Sequence, residues 1–176
     1  MKTLTLTSLA LAGFACGTLV LADAPKTAPK PAPAAVPKAP AIAPTAANVA
    51  YGSDPKQVLD FYQAKSDKPT PLMFFIHGGG WAAGTKYRIT GLKDVLAAGI
   101  SVVSVEYRFI AEATADGVKP PVKGPLHDAA RALQFVRSKA GEWNIDKERI
   151  GACGGSAGAC SSLWLAFHND LADPKS

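Results

Sequence analysis

Three short apolar runs alternate with two helix-period stretches between residues 72 and 153, and no other feature of the chain restricts its fold as much. Leu72-Met73-Phe74-Phe75-Ile76 is continuous and is bounded by Pro71 and the glycines at 78–80, which predicts a strand buried on both faces. Ile100–Val105 is a second such run, rich in β-branched residues, and Arg149-Ile150-Gly151-Ala152-Cys153 is a third. Gln57–Tyr62 predicts a short strand ahead of them. Leu92, Val95 and Leu96 fall at helical spacing within Thr90–Ala98, and Gly99 stops that helix. Leu126, Ala129, Ala130, Leu133, Val136 and Ala140 form one apolar stripe, with Arg131, Gln134, Arg137 and Lys139 off it. Alternation of this kind implies βαβ crossovers, hence an α/β fold with a mostly parallel sheet and helices on both faces. Ligand sites in such sheets lie beyond the carboxyl ends of the strands.

The 176 residues are 48% hydrophobic and 19% charged, enough for a packed core, but three regions differ sharply. Residues 1–24 open with Lys2, run uncharged from Thr3 to Ala22 and end in Ala22-Asp23-Ala24. A basic start, an apolar run and an A-x-A site have the form of a secretory signal peptide, so the protein is expected to be exported, periplasmic or secreted. Contact with a membrane is expected only through this segment if it stays uncleaved. Residues 25–50 hold 7 of the 14 prolines and three lysines without an acid, and read as a disordered Pro/Ala/Lys-rich tether. Residues 51–176 form the globular domain. The net charge of +5 divides as 0, +3 and +2 over the three regions, so the basicity belongs mostly to the tether and nucleic acid is not an expected partner.

Two glycine-rich motifs fall at the carboxyl edge of the expected sheet. His77-Gly78-Gly79-Gly80-Trp81 follows the 72–76 strand, and Gly154-Gly155-Ser156-Ala157-Gly158, a G-x-S-x-G, follows the 149–153 strand. Together they resemble the α/β-hydrolase family, in its HGGGW-type esterase branch: hormone-sensitive-lipase-like esterases, carboxylesterases and bacterial acetyl- or feruloyl-esterase-like domains. Val105-Glu106-Tyr107-Arg108 and Asn144-Ile145-Asp146-Lys147-Glu148-Arg149-Ile150 are similar to neighbouring segments of that branch, and the resemblance covers roughly residues 51–176. It implies that Ser156 is the catalytic nucleophile and that the backbone N–H groups of Gly79, Gly80 and Ala157 form an oxyanion hole. It implies loop-supporting roles for His77, Gly78 and Trp81, with His77 not the catalytic base. Gly154 and Gly158 would be the elbow glycines, required because a serine on a sharp strand-to-helix corner brings its flanking residues too close for side chains. The expected substrate is a small-molecule or carbohydrate-linked ester, attacked through an acyl-enzyme, with no cofactor and no metal.

In this family the serine is followed by an acid and then a histidine. Twenty residues follow Ser156, holding His168, Asp170 and Asp173. If 157–168 is helical, His168 lies about 18 Å along the axis from Ser156, out of reach of its proton. His127 and Asp128 sit at a helix start and are expected to play surface or capping roles. The chain therefore reads as the amino-terminal part of an α/β-hydrolase, lacking the acid and histidine, and little or no esterase activity is expected from it alone. Two other readings are a non-catalytic binding module on a hydrolase scaffold and a prolyl-oligopeptidase-type peptidase fragment.

The remaining candidates have plainer readings. Trp81 either lines an acyl pocket or packs the loop. Trp143 and Trp164 are expected in the core. Tyr107 and Arg108 either brace the oxyanion loop or form a solvated pair. Lys86 and Arg88 are expected on an exposed helix approach. Cys153 at a strand end and Cys160 on the next helix are expected to be buried free thiols, and no Cys/His spacing suits zinc.

Overall fold

The computed structural model describes residues 41–168. Five strands form one sheet: β1 (Ala46–Ala50), β2 (Val58–Tyr62), β3 (Thr70–Ile76), β4 (Ser101–Val105) and β5 (Ile145–Gly154). The helices are α1 (Leu92–Ala97), α2 (Ile110–Ala115), α3 (Lys123–Ser138) and α4 (Ala157–Phe167), with a single 3₁₀ turn at Lys86–Arg88. The strand order is β1-β2-β4-β3-β5. β3 pairs in parallel with both β4 and β5, while β2 runs against β1 and β4. The sheet is therefore mostly parallel, with only β2 reversed.

Its two faces are covered unequally. On one face α3 lays Ala129, Ala132 and Val136 over Leu59, Phe61, Leu72, Phe74, Ile76, Val103 and Val105. Trp143 closes this core and stacks on Phe61 at a 4.4 Å ring separation. On the other face α1 sets Leu92, Val95 and Leu96 against Tyr62, Met73 and Val102. β3 accordingly alternates between fully and partly buried residues and is not buried equally on both faces as its apolar run suggests. The α1 side is thinner, so Met73 and Phe75 keep some exposure. β5 pairs only with β3 among the described residues, and β4, central in the sheet, is buried along its whole length.

Several expectations are corrected. β1 lies inside the segment read as a tether, so the folded domain starts before residue 51; Asn48 N–H donates to Asp60 Oδ1 at 2.8 Å and locks that strand to β2. The signal-segment reading lies outside the described residues. Lys86 is not exposed: its ammonium is buried against Asp60 Oδ2 at 2.6 Å, and the Tyr87 ring lies 4.4 Å away. A buried lysine needs such a partner, and a local pattern of charges does not reveal one supplied by β2. Trp164 is only half-buried and Cys160 is exposed, because the outer face of α4 carries no covering element among the described residues; Leu163 and Phe167 on the same helix are exposed as well. Cys153 is half-buried, and burial raises its thiol pKa.

Removing one partner of the buried Asp60–Lys86 pair leaves the other charge stranded. Asp60→Ala is expected to lose about 3–5 kcal/mol of stability in urea unfolding, whereas the double variant Asp60→Ala/Lys86→Met loses markedly less. Equal losses for both would show that the pair contributes through packing alone.

Candidate active site

The site grows from the register between β3 and β5. Ile76 pairs with Gly154, and Ile76 also pairs with Val105 of β4, so three strands end at the same level. Their exits therefore meet above the sheet: His77-Gly78 after β3, Glu106-Tyr107 after β4, and Gly155-Ser156 after β5.

Ser156 forms the corner between β5 and α4. Its backbone has φ 52° and ψ −121°, a left-handed conformation that a non-glycine residue adopts at a cost of about 1–3 kcal/mol. The corner is tight enough that a Cβ at Gly154 or at Gly158 would run into the Ile76 carbonyl oxygen. A Cβ on Gly78 would come within 2.5 Å of the Gly155 carbonyl oxygen. Glycine at 78, 154 and 158 is thus a condition for β3 and the corner to touch. The residue at the tip, Ser156, is exposed, and its hydroxyl has no hydrogen-bond partner among the described residues. Its carbonyl accepts from Cys160 N–H at 3.0 Å, which starts α4.

The His77–Trp81 loop turns over the same spot. Gly79, Gly80 and Trp81 all have positive φ, at 126°, 62° and 54°, and Ala82 and Ala83 N–H groups both donate to the Gly79 carbonyl at 3.1 Å. These bonds close the loop into a tight turn, the kind of backbone that can gather amide hydrogens into an anion-binding concavity. The amides of Gly79 and Gly80, and of Ala157 at the first turn of α4, have no acceptor among the described residues.

Beneath the loop His77 is fully buried. Its Nε2 donates to Glu106 Oε1 at 2.9 Å, and its ring stacks on Tyr107 at 4.3 Å. The Tyr107 hydroxyl donates to the His77 carbonyl at 2.7 Å. Tyr107 therefore braces the loop, and burial raises its pKa further, keeping it protonated. Burial also pushes the Glu106 carboxyl up, but its hydrogen bond and electrostatic interaction with His77, the Lys86 amide and the Thr85 hydroxyl together hold it below the ordinary glutamate value. Glu106 as the anchor of His77 was not singled out from sequence; the neighbouring strand ends supply the only clue.

Trp81 packs against the main core, and its indole Nε1 donates to Ser161 Oγ on α4 at 3.0 Å. Arg108 does not join this cluster. Its guanidinium grips Asp128 at both carboxylate oxygens, at 2.9 and 2.7 Å, and reaches Asp116 at 2.9 Å. Asp128 is accordingly no helix cap but a buried anchor for the loop after β4. Of the other histidines, His127 stacks on Trp164 at 6.0 Å, and His168 ends α4 and stacks on the same indole at 4.7 Å. Neither bonds to Ser156. Asp170 and Asp173 lie outside the described residues.

A mostly parallel sheet with a strained serine corner beside a triple-glycine loop has the architecture of an α/β-hydrolase. The BD-FAE family model matches residues 59–174, about two thirds of the chain, and the chain belongs to that family of carboxylic ester hydrolases. It is 32% identical over 117 residues to esterase LipC of Mycobacterium tuberculosis, covering 62% of this chain and 27% of that protein. It is 31% identical over 127 residues to gut esterase 1 of Caenorhabditis briggsae, covering 67% and 22%. Among solved structures, a truncated carbohydrate esterase from gut microbiota aligns with a TM-score of 0.57 and 31% identity over 67% of this chain and 41% of that one. Thermogutta terrifontis esterase 2 with bound propionate aligns at 0.56 and 27% identity, over 67% and 43%. The chain thus spans about a quarter of the length of those curated relatives and about two fifths of those structures.

The glycines of the site are expected to differ in kind. Gly158→Ala drives a Cβ into backbone and is expected to cost about 3 kcal/mol or more in chemical unfolding. Gly80→Ala meets open space and bears only the left-handed penalty, about 1–2 kcal/mol. Equal costs would contradict the crowding between α4 and β3.

Because the folded Glu106 pKa is depressed, its contribution is present above the unfolded value near 4.5 and is lost as pH falls through the folded value. Stability measured from pH 7 downward should therefore fall more steeply below pH 4.5 for the native chain than for Glu106→Gln. Parallel profiles would show that Glu106 makes no such contribution.

Proposed function

We propose that Ser156 is the nucleophile of a carboxylic ester hydrolase and that the Gly79, Gly80 and Ala157 amides form its oxyanion hole. The observation that carries this reading is the exposed, left-handed Ser156, with unpartnered amide hydrogens from β3's loop and from α4 flanking it. In the reaction Ser156 Oγ attacks the ester carbonyl carbon and gives its proton to a base supplied from outside the described residues, such as imidazole in solution, which returns a proton to the departing alcohol. The carbonyl oxygen gains negative charge and is met by the three amides, each such donor being worth about 3–4 kcal/mol in comparable sites. The tetrahedral adduct then collapses, the alcohol leaves with a proton, and the acyl group stays on Ser156 until water removes it. The amino end of α4 adds its dipole to the same charge. His77, bound to Glu106 and buried, supports the loop and takes no proton from Ser156.

The chain holds three histidines, His77, His127 and His168, and none is set against the Ser156 hydroxyl. Among the described residues no histidine is therefore placed to act as general base toward Ser156, and the chain alone is expected to turn esters over slowly or not at all. The substrate is a small-molecule or carbohydrate-linked ester. That class is supported by similarity to the truncated carbohydrate esterase and to the acetyl ester-xyloside bifunctional hydrolase from Caldicellulosiruptor lactoaceticus. Export is supported by Lys2, the uncharged run after it and Ala22-Asp23-Ala24.

The test supplies the base from solution. With p-nitrophenyl acetate and added imidazole, the chain is expected to acquire an acetyl group on the Ser156 peptide, seen by mass spectrometry, while Ser156→Ala acquires none. Acetylation that is absent, or unchanged by Ser156→Ala, contradicts the assignment.

A further inference from the structure

The amides proposed to receive the oxyanion sit on two elements. Those of Gly79 and Gly80 belong to the loop after β3, and that of Ala157 to α4. Backbone contacts press these elements together at Gly78, Gly154 and Gly158, but those contacts all lie on the β3 side of the corner. On the far side of Gly79 and Gly80 one side-chain hydrogen bond joins loop to helix, from the Trp81 indole to Ser161.

Its placement is specific. Trp81 directly follows Gly80, and Ser161 lies four residues after Ala157, one helical turn along the same face. The bond therefore ties a residue adjacent to one donor to a residue stacked under another. Ser161 is almost fully buried, and a buried hydroxyl without a partner is costly, so its position in an otherwise apolar helix wall needs a reason. Trp81 is itself held at φ 54°, a conformation uncommon for a bulky residue. Two hydrogen bonds fix it there: Ile110 N–H donates to its carbonyl at 2.8 Å, and its indole donates to Ser161. Neighbouring Ser162 is spent differently, on the Gly158 carbonyl at 2.9 Å within its own helix.

We infer that Ser161 is a positioning residue: by accepting the Trp81 indole N–H it sets the spacing between the loop amides of Gly79 and Gly80 and the helix amide of Ala157. It touches no reacting atom. The inference rests on the proposed oxyanion role of those amides, and it adds a residue that the glycine motifs do not contain.

The experiment compares Ser161→Ala and Ser161→Thr in the full chain with two readouts. The first is independent of chemistry: the indole N–H proton of Trp81, assigned by its loss in Trp81→Phe, followed by NMR for exchange with solvent. Its exchange should accelerate in Ser161→Ala and return toward the native rate in Ser161→Thr, and the amide signals of Gly79 and Gly80 should move with it. The second is the imidazole-assisted acetylation rate of Ser156, which should fall about tenfold in Ser161→Ala and recover in Ser161→Thr, without loss of the folded spectrum. Indole exchange and glycine signals that ignore Ser161→Ala overturn the inference, as does an unchanged acetylation rate. Failure of the native chain to acetylate at Ser156, with the NMR response intact, strikes instead at the nucleophile assignment and leaves the loop-to-helix tie standing.

Discussion

The contact between the end of β3 and the β5–α4 corner is the constraint on which the rest depends. The Ile76 carbonyl faces both Gly154 and Gly158, and Gly78 lies against Gly155. A side chain at 78, 154 or 158 would have no room. Because the strands are parallel and in register, this single close approach brings the glycine loop, the serine corner and the β4 exit to one level above the sheet. Ser156's backbone strain is stored here and is offset by the packing of β3 beneath it and by the hydrogen bonds that begin α4. The chemistry proposed for the site is a consequence of that junction, since neither an isolated serine nor an isolated glycine loop would place hydroxyl and amides together.

A second layer keeps the junction rigid. His77 is pinned from both sides, by Glu106 at its Nε2 and by Tyr107 at its ring face and its carbonyl. The Tyr51 hydroxyl donates to the Glu106 carbonyl at 2.6 Å, so the turn before β2 also supports the β4 exit. The buried Asp60–Lys86 pair and the Ser104 hydroxyl, which donates to the Lys86 carbonyl, hold the segment after the glycine loop against β2 and β4. Arg108 and Asp128 do the same for the approach to α3, with Gln57 Nε2 donating to Asp128 Oδ1 at 2.7 Å. These are buried polar groups with their partners present, the condition under which such groups add order rather than strain.

Much of this was legible in the residues, for identifiable reasons. β3, β4, α3 and β5 announce themselves by apolar runs or a 3.6-residue stripe, and both glycine motifs follow strands as the physics of a tight corner requires. β1 was hidden because Ala46–Ala50 has little β propensity and adjoins a proline-rich stretch; it forms by pairing with β2, a tertiary cause. α2 carries one large apolar residue, Ile110, among its six positions, too few to set up a periodic pattern. Lys86 reads as an exposed charge and Asp128 as a surface or capping residue, and nothing local marks Glu106 as the anchor of His77, because each is explained by a partner distant in sequence. Ser161 was invisible for the same reason: nothing local to α4 marks one serine among two as the acceptor of an indole.

The central claim is that the amides of Gly79, Gly80 and Ala157 converge on an oxygen bound through Ser156. Its most direct measurement is the amide proton spectrum before and after reaction of the chain with a fluorophosphonate. The account predicts one adduct, on Ser156, and downfield movement of those three amide protons as they hydrogen-bond the phosphoryl oxygen. An adduct on another residue, or an adduct on Ser156 that leaves the three amides unmoved, would contradict it.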